Sequence, residues 1–154
     1  MSKIIYTSKK ERIVVDDDVF DVLSLVTWRL DARGYAVGKR PARHGGGTLY
    51  LHRLICVPAD GLEVDHIDGD KQNNRRSNLR ACSHSQNCAN RRKDRRNSSG
   101  FKGVNWDAQR GRWLARIKHE GRQINLGRFD SAEMAHAVYR EKAMELKGEF
   151  VNYG

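Results

Sequence analysis

The chain has 154 residues, which is enough for one ordinary domain or two small ones. Its 29 lysines and arginines outnumber its 19 aspartates and glutamates, and the formal net charge of +10 favours a nucleic-acid or anionic-membrane partner over an acidic metabolite. No apolar run approaches membrane-spanning length and the first six residues lack a signal-peptide core, so we predict a cytoplasmic protein that binds no membrane.

The three cysteines are Cys56, Cys82 and Cys88. Their odd number argues against a disulfide framework, and no two of them form a Cys-x-x-Cys pair. We therefore expect free thiols in a reducing compartment and no structural zinc.

The first 56 residues alternate between short apolar segments and polar turns, which indicates small α and β elements. We expect a hairpin of residues 4–6 and 13–15, an amphipathic helix opened by the acidic run 16–18, a strand within 28–37, a mobile basic loop at 40–47, and an apolar segment at 48–56 around His52.

The next segment carries the polar residues of greatest interest. A short strand containing Asp65 and His66 would direct the two side chains to opposite faces, because strand side chains alternate. The polar loop 71–77 predicts a turn, and a second short strand follows at 78–81. Residues 83–92 lack Gly and Pro and begin with a possible Ser cap, which predicts a helix. This hairpin and helix could bring Asp65 and Asn87 together.

Asp65-His66, Asn78 and Asn87 resemble the signature of the HNH nucleases, and the flanking residues 51–55 and 73–80 resemble its phage-type homing branch. The resemblance covers most of residues 1–90. It implies a ββα-metal module (His-Me finger) in which His66 is the general base. It further implies that Asp65 and Asn87 hold a divalent metal and that Asn78 is largely architectural.

The implied chemistry suits these residue types. Hydrolysis of a phosphodiester requires an activated water, a stabilised phosphoryl group and help for the departing 3′ oxygen, and Mg²⁺ or Mn²⁺ can serve the last two. A histidine with a pKa near 6.5 can accept the proton of water at working pH. Two histidines have open roles. His52 could hold a phosphate or be a hydrogen-bonded structural residue, and His84 could support Asn87 or face solvent.

A basic segment follows the predicted helix. Its cations are Arg91, Arg92, Lys93, Arg95 and Arg96. The segment is typical of a solvated helix end followed by a flexible joint, and it could also cross a DNA backbone and add salt-dependent affinity without sequence readout.

The residues after position 100 predict a sheet and a helix. Strands are expected at 101–106, 113–118 and 123–126, the second with one apolar face and one mostly cationic face. The spacing of Asp130 and Glu133 predicts a capping box with Asp130 as its first residue, and Gly148 ends the helix.

Residues 98–150 resemble the plant ethylene-response-factor (APETALA-type) DNA-binding domain, through Phe101-Lys102-Gly103-Val104, Trp113-x-Ala115-x-Ile117, Leu126-Gly127-x-Phe129 and Ala132-Glu133-x-Ala135. The resemblance implies that the sheet enters the major groove of duplex DNA. The outward side chains would be those of Lys102, Asn105, Arg112, Arg116, Lys118 and Asn125. Asn105 and Asn125 depart from the family pattern, so base preference cannot be carried over.

We therefore expect an α+β chain with a nuclease domain at 1–90, a basic linker at 91–100 and a DNA-binding domain at 101–154. The predicted activity is metal-dependent endonuclease cleavage of double-stranded DNA by a monomer or a DNA-assembled dimer, in the host cell of a phage or other mobile element. The alternatives are a non-catalytic DNA-binding regulator with a scaffold-only HNH unit, and a basic RNA-binding protein.

Overall fold

The computed structural model describes residues 1–91, 93 and 97–153, which form two compact units, Met1–Ser83 and His84–Gly154. Helices and strands occur in both units, so the predicted mixture of α and β structure is confirmed. The compact units divide after residue 83, whereas the predicted nuclease domain extends to residue 90. The predicted DNA contacts Arg92, Arg95 and Arg96 lie outside the described residues.

The first unit contains three small antiparallel sheets with strand orders β1-β2, β3-β4-β5 and β6-β7. Its elements are β1 (Ser2–Tyr6), β2 (Arg12–Asp16), α1 (Asp17–Ser24), β3 (Arg29–Leu30), β4 (Ala36–Lys39), β5 (Thr48–Tyr50), α2 (Leu51–Ile55), β6 (Glu63–His66) and β7 (Leu79–Cys82), with 3₁₀ turns at Ala42–His44 and Arg76–Asn78.

The acidic run at residues 16–18 has more than one structural role. Asp17 and Asp18 occupy the first turn of α1, where carboxylates face the positive end of the helix dipole. Asp16 is the N-cap residue but its side chain makes no capping bond. It instead accepts a hydrogen bond of 2.7 Å from the backbone N–H of Arg76. The run thus connects the start of the chain to the turn before β7.

The core of the first unit is built around Trp28, whose side chain is 1% exposed. Its indole N–H donates to the carbonyl of Leu23 at 2.8 Å, which satisfies the only polar atom of the ring. Gly38 allows this packing, because a Cβ there would lie 2.9 Å from Val26 and 3.2 Å from the Trp28 ring. The surrounding buried residues are Ile5, Ile13, Val15, Leu23, Ala36 and Leu51.

The second unit consists of a three-stranded antiparallel sheet of order β10-β9-β8 with helices beside it. Its elements are α3 (His84–Asn90), β8 (Val104–Asp107), β9 (Arg112–His119), β10 (Arg122–Phe129), α4 (Ala132–Lys147) and a 3₁₀ turn at Gly148–Phe150. Compared with the predicted bounds, β8 begins three residues later, and β10 extends three residues further to Phe129.

Small residues allow α4 to lie close to the sheet. Ala135 and Ala143 are 0% exposed and pack within clusters that include Val104, Ala115 and Ile117 of the strands. The helix begins one residue later than predicted, because Ser131 rather than Asp130 is its N-cap. The Ser131 hydroxyl accepts the N–H of Met134 at 3.1 Å. The prediction of Asp130 as the cap was wrong.

Two features are absent from the described residues, a membrane-spanning helix and a cluster of metal-binding side chains. None of the described helices is long and apolar enough to cross a membrane. Within the same residues, no group of three or more His, Cys, Asp or Glu side chains is arranged to hold a metal ion. The three cysteines are free thiols.

Candidate active site

The β6–β7 hairpin positions Asp65 and His66. Its register places Asp65 opposite Arg80 and His66 opposite Leu79. Asp65 and His66 are each 4% exposed, although a carboxylate and an imidazole are rarely so buried without a partner. Each of the two side chains therefore needs a partner that compensates for the loss of water around it.

The Asp65 carboxylate is held by Arg80. Both Nε and Nη2 of Arg80 lie 2.9 Å from Oδ2 of Asp65, and the two residues are direct cross-strand neighbours. The two side chains are 5% and 14% exposed. The guanidinium therefore balances a carboxylate that would be costly to bury alone. Arg80 was not predicted as a partner of Asp65, although it lies within the predicted second strand at 78–81.

The His66 imidazole contacts Asn74. Nε2 of His66 lies 3.4 Å from Oδ1 of Asn74, which is itself 0% exposed. Burial lowers the pKa of His66 below its ordinary value of 6.5, while the hydrogen bond with Asn74 acts in the opposite direction. The residue is therefore a neutral base at neutral pH.

Backbone bonds to β2 keep Asn74 in place. The N–H of Asn74 donates to the carbonyl of Val14, and the N–H of Val14 donates to the carbonyl of Gln72, both at 2.8 Å. The Asn74 side chain also donates to the carbonyl of Lys71 at 3.2 Å. A residue far back in the chain thus fixes the partner of His66, which no local sequence pattern could indicate.

Asn78 organises the loop between β6 and β7. Its amide nitrogen donates to Oδ1 of Asp68 at 2.9 Å and to the carbonyl of Asn73 at 2.7 Å. Its amide oxygen accepts the N–H of Asp68 at 3.1 Å. These bonds agree with the architectural role that the resemblance implies for Asn78. The amide that contacts the imidazole of His66 is that of Asn74.

A second histidine lies beside His66. The ring centroids of His52 and His66 are 5.4 Å apart in an edge-on arrangement, and Tyr35 lies 4.9 Å from His52 and 5.9 Å from His66. His52 is 7% exposed, and its Nδ1 has no hydrogen-bond partner among the described residues. The pKa of His52 is lowered to about 4, mainly by burial and to a smaller degree by the neighbouring charge of His66. The role of His52 was left open by the sequence, and Tyr35 was not predicted from it.

Asn87 lies on α3, which belongs to the second compact unit. Its predicted meeting with Asp65 at a metal ion therefore stays a prediction. His84 lies on the same helix, where its Nε2 is 3.5 Å from Sγ of Cys88.

Most of the predicted DNA-contacting residues of the sheet are exposed. Ala115 and Ile117 of β9 are buried against the helix, so the alternate residues Arg116 and Lys118 point away from it. Arg116 is directly opposite Asn125 on β10. The exposed members of the predicted set are Asn105, Arg112, Arg116, Lys118 and Asn125, with Arg91 and Lys93 of the basic segment. Arg112 also lies 3.4 Å from the carboxylate of Asp130.

Lys102 differs from the expected outward position. Its ammonium donates to three backbone carbonyls, those of Ala89, Arg91 and Asn152, at 2.6–2.8 Å. Burial and the charge of Lys147 lower its pKa to about 8. Lys102 thus connects the end of α3, the turn before β8 and the C-terminal residues. Sequence reasoning assigned it to DNA because a lysine beside a strand resembles an exposed cation.

The chain is similar to one protein family and to two viral proteins. The family described as HNH endonuclease matches residues 49–89, which include Asp65, His66, Asn78 and Asn87. Protein 3.8 of Escherichia phage T7 is 34% identical over 93 residues, which are 60% of this chain and 76% of that protein. The uncharacterized HNH endonuclease L560 of Acanthamoeba polyphaga mimivirus is 32% identical over 140 residues, which are 86% of this chain and 69% of the relative. No solved structure matches the chain significantly.

Proposed function

Because this chain belongs to the HNH endonuclease family, we propose that it hydrolyses phosphodiester bonds of double-stranded DNA with His66 as general base and one divalent metal ion. The observation that carries the proposal is the buried His66 imidazole, held by Asn74 and adjacent in sequence to the ion-paired Asp65. A neutral imidazole held in one orientation is what proton abstraction from water requires.

The Asn74 contact assigns roles to the two nitrogens of His66. A neutral imidazole has one donor and one acceptor nitrogen. When Nε2–H donates to Oδ1 of Asn74, the acceptor is Nδ1, and Nδ1 takes the proton of the attacking water. Asn78 keeps the loop around this histidine in one conformation. Asn74 and Asn78 are positioning residues in this proposal.

The donor chemistry of Asp65 and Asn87 suits a hard divalent ion. Carboxylate and amide oxygens are ligands that Mg²⁺ accepts, and two protein ligands leave room for water and phosphate. When bound, Mg²⁺ or Mn²⁺ would stabilise charge on the phosphoryl group and on the departing 3′ oxygen. Asp65 would keep its bond to Arg80, which restricts the carboxylate to one orientation. The products would be a 5′-phosphate and a 3′-hydroxyl, as the resemblance implies.

The C-terminal sheet would hold the DNA. We propose that the face formed by Asn105, Arg116, Lys118 and Asn125 lies in a groove of the duplex, with Arg112 at its border. The exposure of these residues and the separation of Arg116 and Lys118 from the apolar face support this assignment. Arg91, Arg92, Lys93, Arg95 and Arg96 would contact phosphates and contribute affinity without sequence readout.

The natural setting that we propose is a phage or other mobile element whose homing-type endonuclease acts in the cytoplasm of its host. The two viral relatives support this setting. One HNH centre per chain would nick DNA as a monomer and would cut both strands only when two chains meet on the DNA.

The alternative is a DNA-binding regulator whose HNH unit is only a scaffold. The Asp65–Arg80 ion pair favours this alternative, because it satisfies the buried carboxylate without a metal. A nuclease needs Asp65 to accept a metal in addition to Arg80, whereas a scaffold does not.

Plasmid cleavage separates the two functions. We expect the intact protein with Mg²⁺ to nick or linearise supercoiled plasmid, and EDTA to stop the reaction. His66→Ala should lower the rate by about 10²–10⁴-fold, the usual contribution of a general base, while DNA affinity measured in EDTA stays unchanged. Cleavage at the full rate by His66→Ala would remove this residue from the mechanism. Absence of cleavage by the intact protein with DNA binding retained would favour the regulator.

A further inference from the structure

The second unit contains a pocket of about 480 Å³ where β9 continues beyond the end of β8. Strand β8 pairs with residues 112–115 of β9, so no strand of the described part of the chain lies beside residues 116–118 on that edge. Residues of α3 form part of the lining, and apolar residues form another part. The apolar residues are Ala89, Ile117, Tyr139 and Val151.

The polar lining of the pocket is strongly cationic. Arg116, Lys118 and Lys147 line it and form no ion pair with any described residue. Lys102 lines it too, but its ammonium is occupied by three carbonyls. Among the described residues of the lining, Glu120 is the single acidic one. Arg116 and Lys118 extend from the outer face of β9 and Lys147 from α4, so these cations lie on the two sides of the strand edge that β8 does not cover. Together with the apolar lining residues they define a site for an anion that also carries apolar surface.

The size and lining restrict the class of ligand. The volume lies within the range of small-ligand sites, about 300–1,000 Å³, and exceeds what a lone phosphate would fill. One nucleotide of a DNA strand has the required combination, because its phosphodiester is anionic and its sugar and base present apolar surface. Arg116 and Lys118 also belong to the proposed DNA-binding face, so the pocket is continuous with that face.

We propose that this pocket binds one nucleotide of the DNA strand, with the phosphodiester contacted by Arg116, Lys118 and Lys147 and the sugar packed on Ile117 and Val151. This assignment rests on the proposed DNA binding by the C-terminal sheet. It adds Lys147, which lies on α4 and has no role when DNA contacts the outer face of the sheet alone.

Lys147→Ala tests the proposal, with Lys142→Ala as the matched control. Both substitutions remove one positive charge from α4, but Lys142 pairs with Glu145 at 2.7 Å and does not line the pocket.

The measurement is binding of the full chain to a 20-base-pair duplex in EDTA at several salt concentrations. Lys147→Ala should weaken binding by about 3–10-fold and lower the salt slope by about one, as for the loss of one phosphate contact. Lys142→Ala should bind within about twofold of the intact chain, the range for a cation that touches no phosphate. Equal weakening by both would show a general charge effect and overturn the pocket.

Methyl NMR of the full chain gives a second readout. The duplex should shift the methyl signals of Ile117 and Val151 in the intact protein and in Lys142→Ala, and much less in Lys147→Ala. Inorganic phosphate alone should leave these signals nearly unchanged, because it has no apolar surface that could contact Ile117 and Val151. Shifts caused by phosphate but not by duplex would identify a free-phosphate site and overturn the assignment. All binding is measured without metal, so a failure of His66-dependent cleavage would leave this result intact.

Discussion

His66 and Asp65 are adjacent residues that depend on different kinds of partner. Asp65 pairs with the cation of Arg80 across the hairpin, whereas His66 contacts the neutral amide of Asn74. A cation suits a residue that must stay ionised, and a neutral amide suits a base that must cycle between neutral and protonated forms. This difference at the scale of single residues is consistent with the separate roles proposed for the two side chains.

The pH dependence of cleavage should reflect the environment of His66. Burial lowers its pKa, so the base remains neutral to a lower pH than an exposed histidine does. We expect the acid limb of the single-turnover rate to have its midpoint below about 6.5, the ordinary value for histidine. Asn74→Ala should move the midpoint still lower, because the hydrogen bond with Asn74 raises the pKa of His66. A midpoint above the ordinary value would contradict this account.

At the scale of secondary-structure elements, the turn before β8 depends on Gly103. Its φ of +76° is rarely adopted by other residues, and a Cβ there would overlap the ring of Tyr139 on α4. The backbone of this turn also supplies the carbonyl that accepts the N–H of Arg116 at 2.9 Å. The glycine therefore sets the distance between the helix and the start of the sheet.

Gly103→Ala should destabilise the second unit by about 2–4 kcal/mol, from backbone strain together with overpacking against Tyr139. Gly121→Ala is the matched control, because Gly121 has a φ of +78° with nothing within 4 Å of an added Cβ. The control should lose only about 1 kcal/mol from backbone strain. Urea unfolding measures both values, and equal losses for the two variants would refute the proposed contact.

The sequence predicted elements better than it predicted partners. The hairpin that presents Asp65 and His66 follows from alternation and turn composition, and the structure contains strands at 63–66 and 79–82. Asn74 could not be identified, because its position depends on backbone bonds to Val14, about 60 residues earlier in the chain. Lys102 was misplaced for a related reason: its three carbonyl partners come from segments that only the folded chain brings together.

For the whole molecule, the buried histidines make the first unit sensitive to acid. His52 has a pKa of about 4 when folded and about 6.5 when unfolded, so only the unfolded chain takes up the proton between these values. The stability that depends on neutral His52 is complete above the unfolded pKa. It decreases as the pH falls toward 4 and changes no further below that.

We expect the free energy of unfolding of the first unit to fall by roughly 3 kcal/mol between pH 7 and pH 4 because of His52 alone. In His52→Phe, which keeps a ring beside Tyr35 and His66, this part of the pH dependence should disappear. His44→Gln, at an exposed position, is the control and should behave like the intact chain. Urea unfolding followed by the indole signal of Trp28 measures the difference. Identical pH dependence in His52→Phe and the intact chain would contradict the assignment.

We propose that Asp65 and Asn87 share one metal ion beside the base His66, and a titration of duplex cleavage with Mg²⁺ can support or refute this sharing. Asp65→Asn and Asn87→Ala should each raise the Mg²⁺ concentration for half-maximal cleavage by about tenfold or more, and their effects should not add, because the two residues act on one ion. His66→Ala should instead lower the maximal rate and leave that concentration unchanged. Contradiction would come from an unchanged Mg²⁺ requirement in both ligand variants, or from independent, additive effects of the two substitutions.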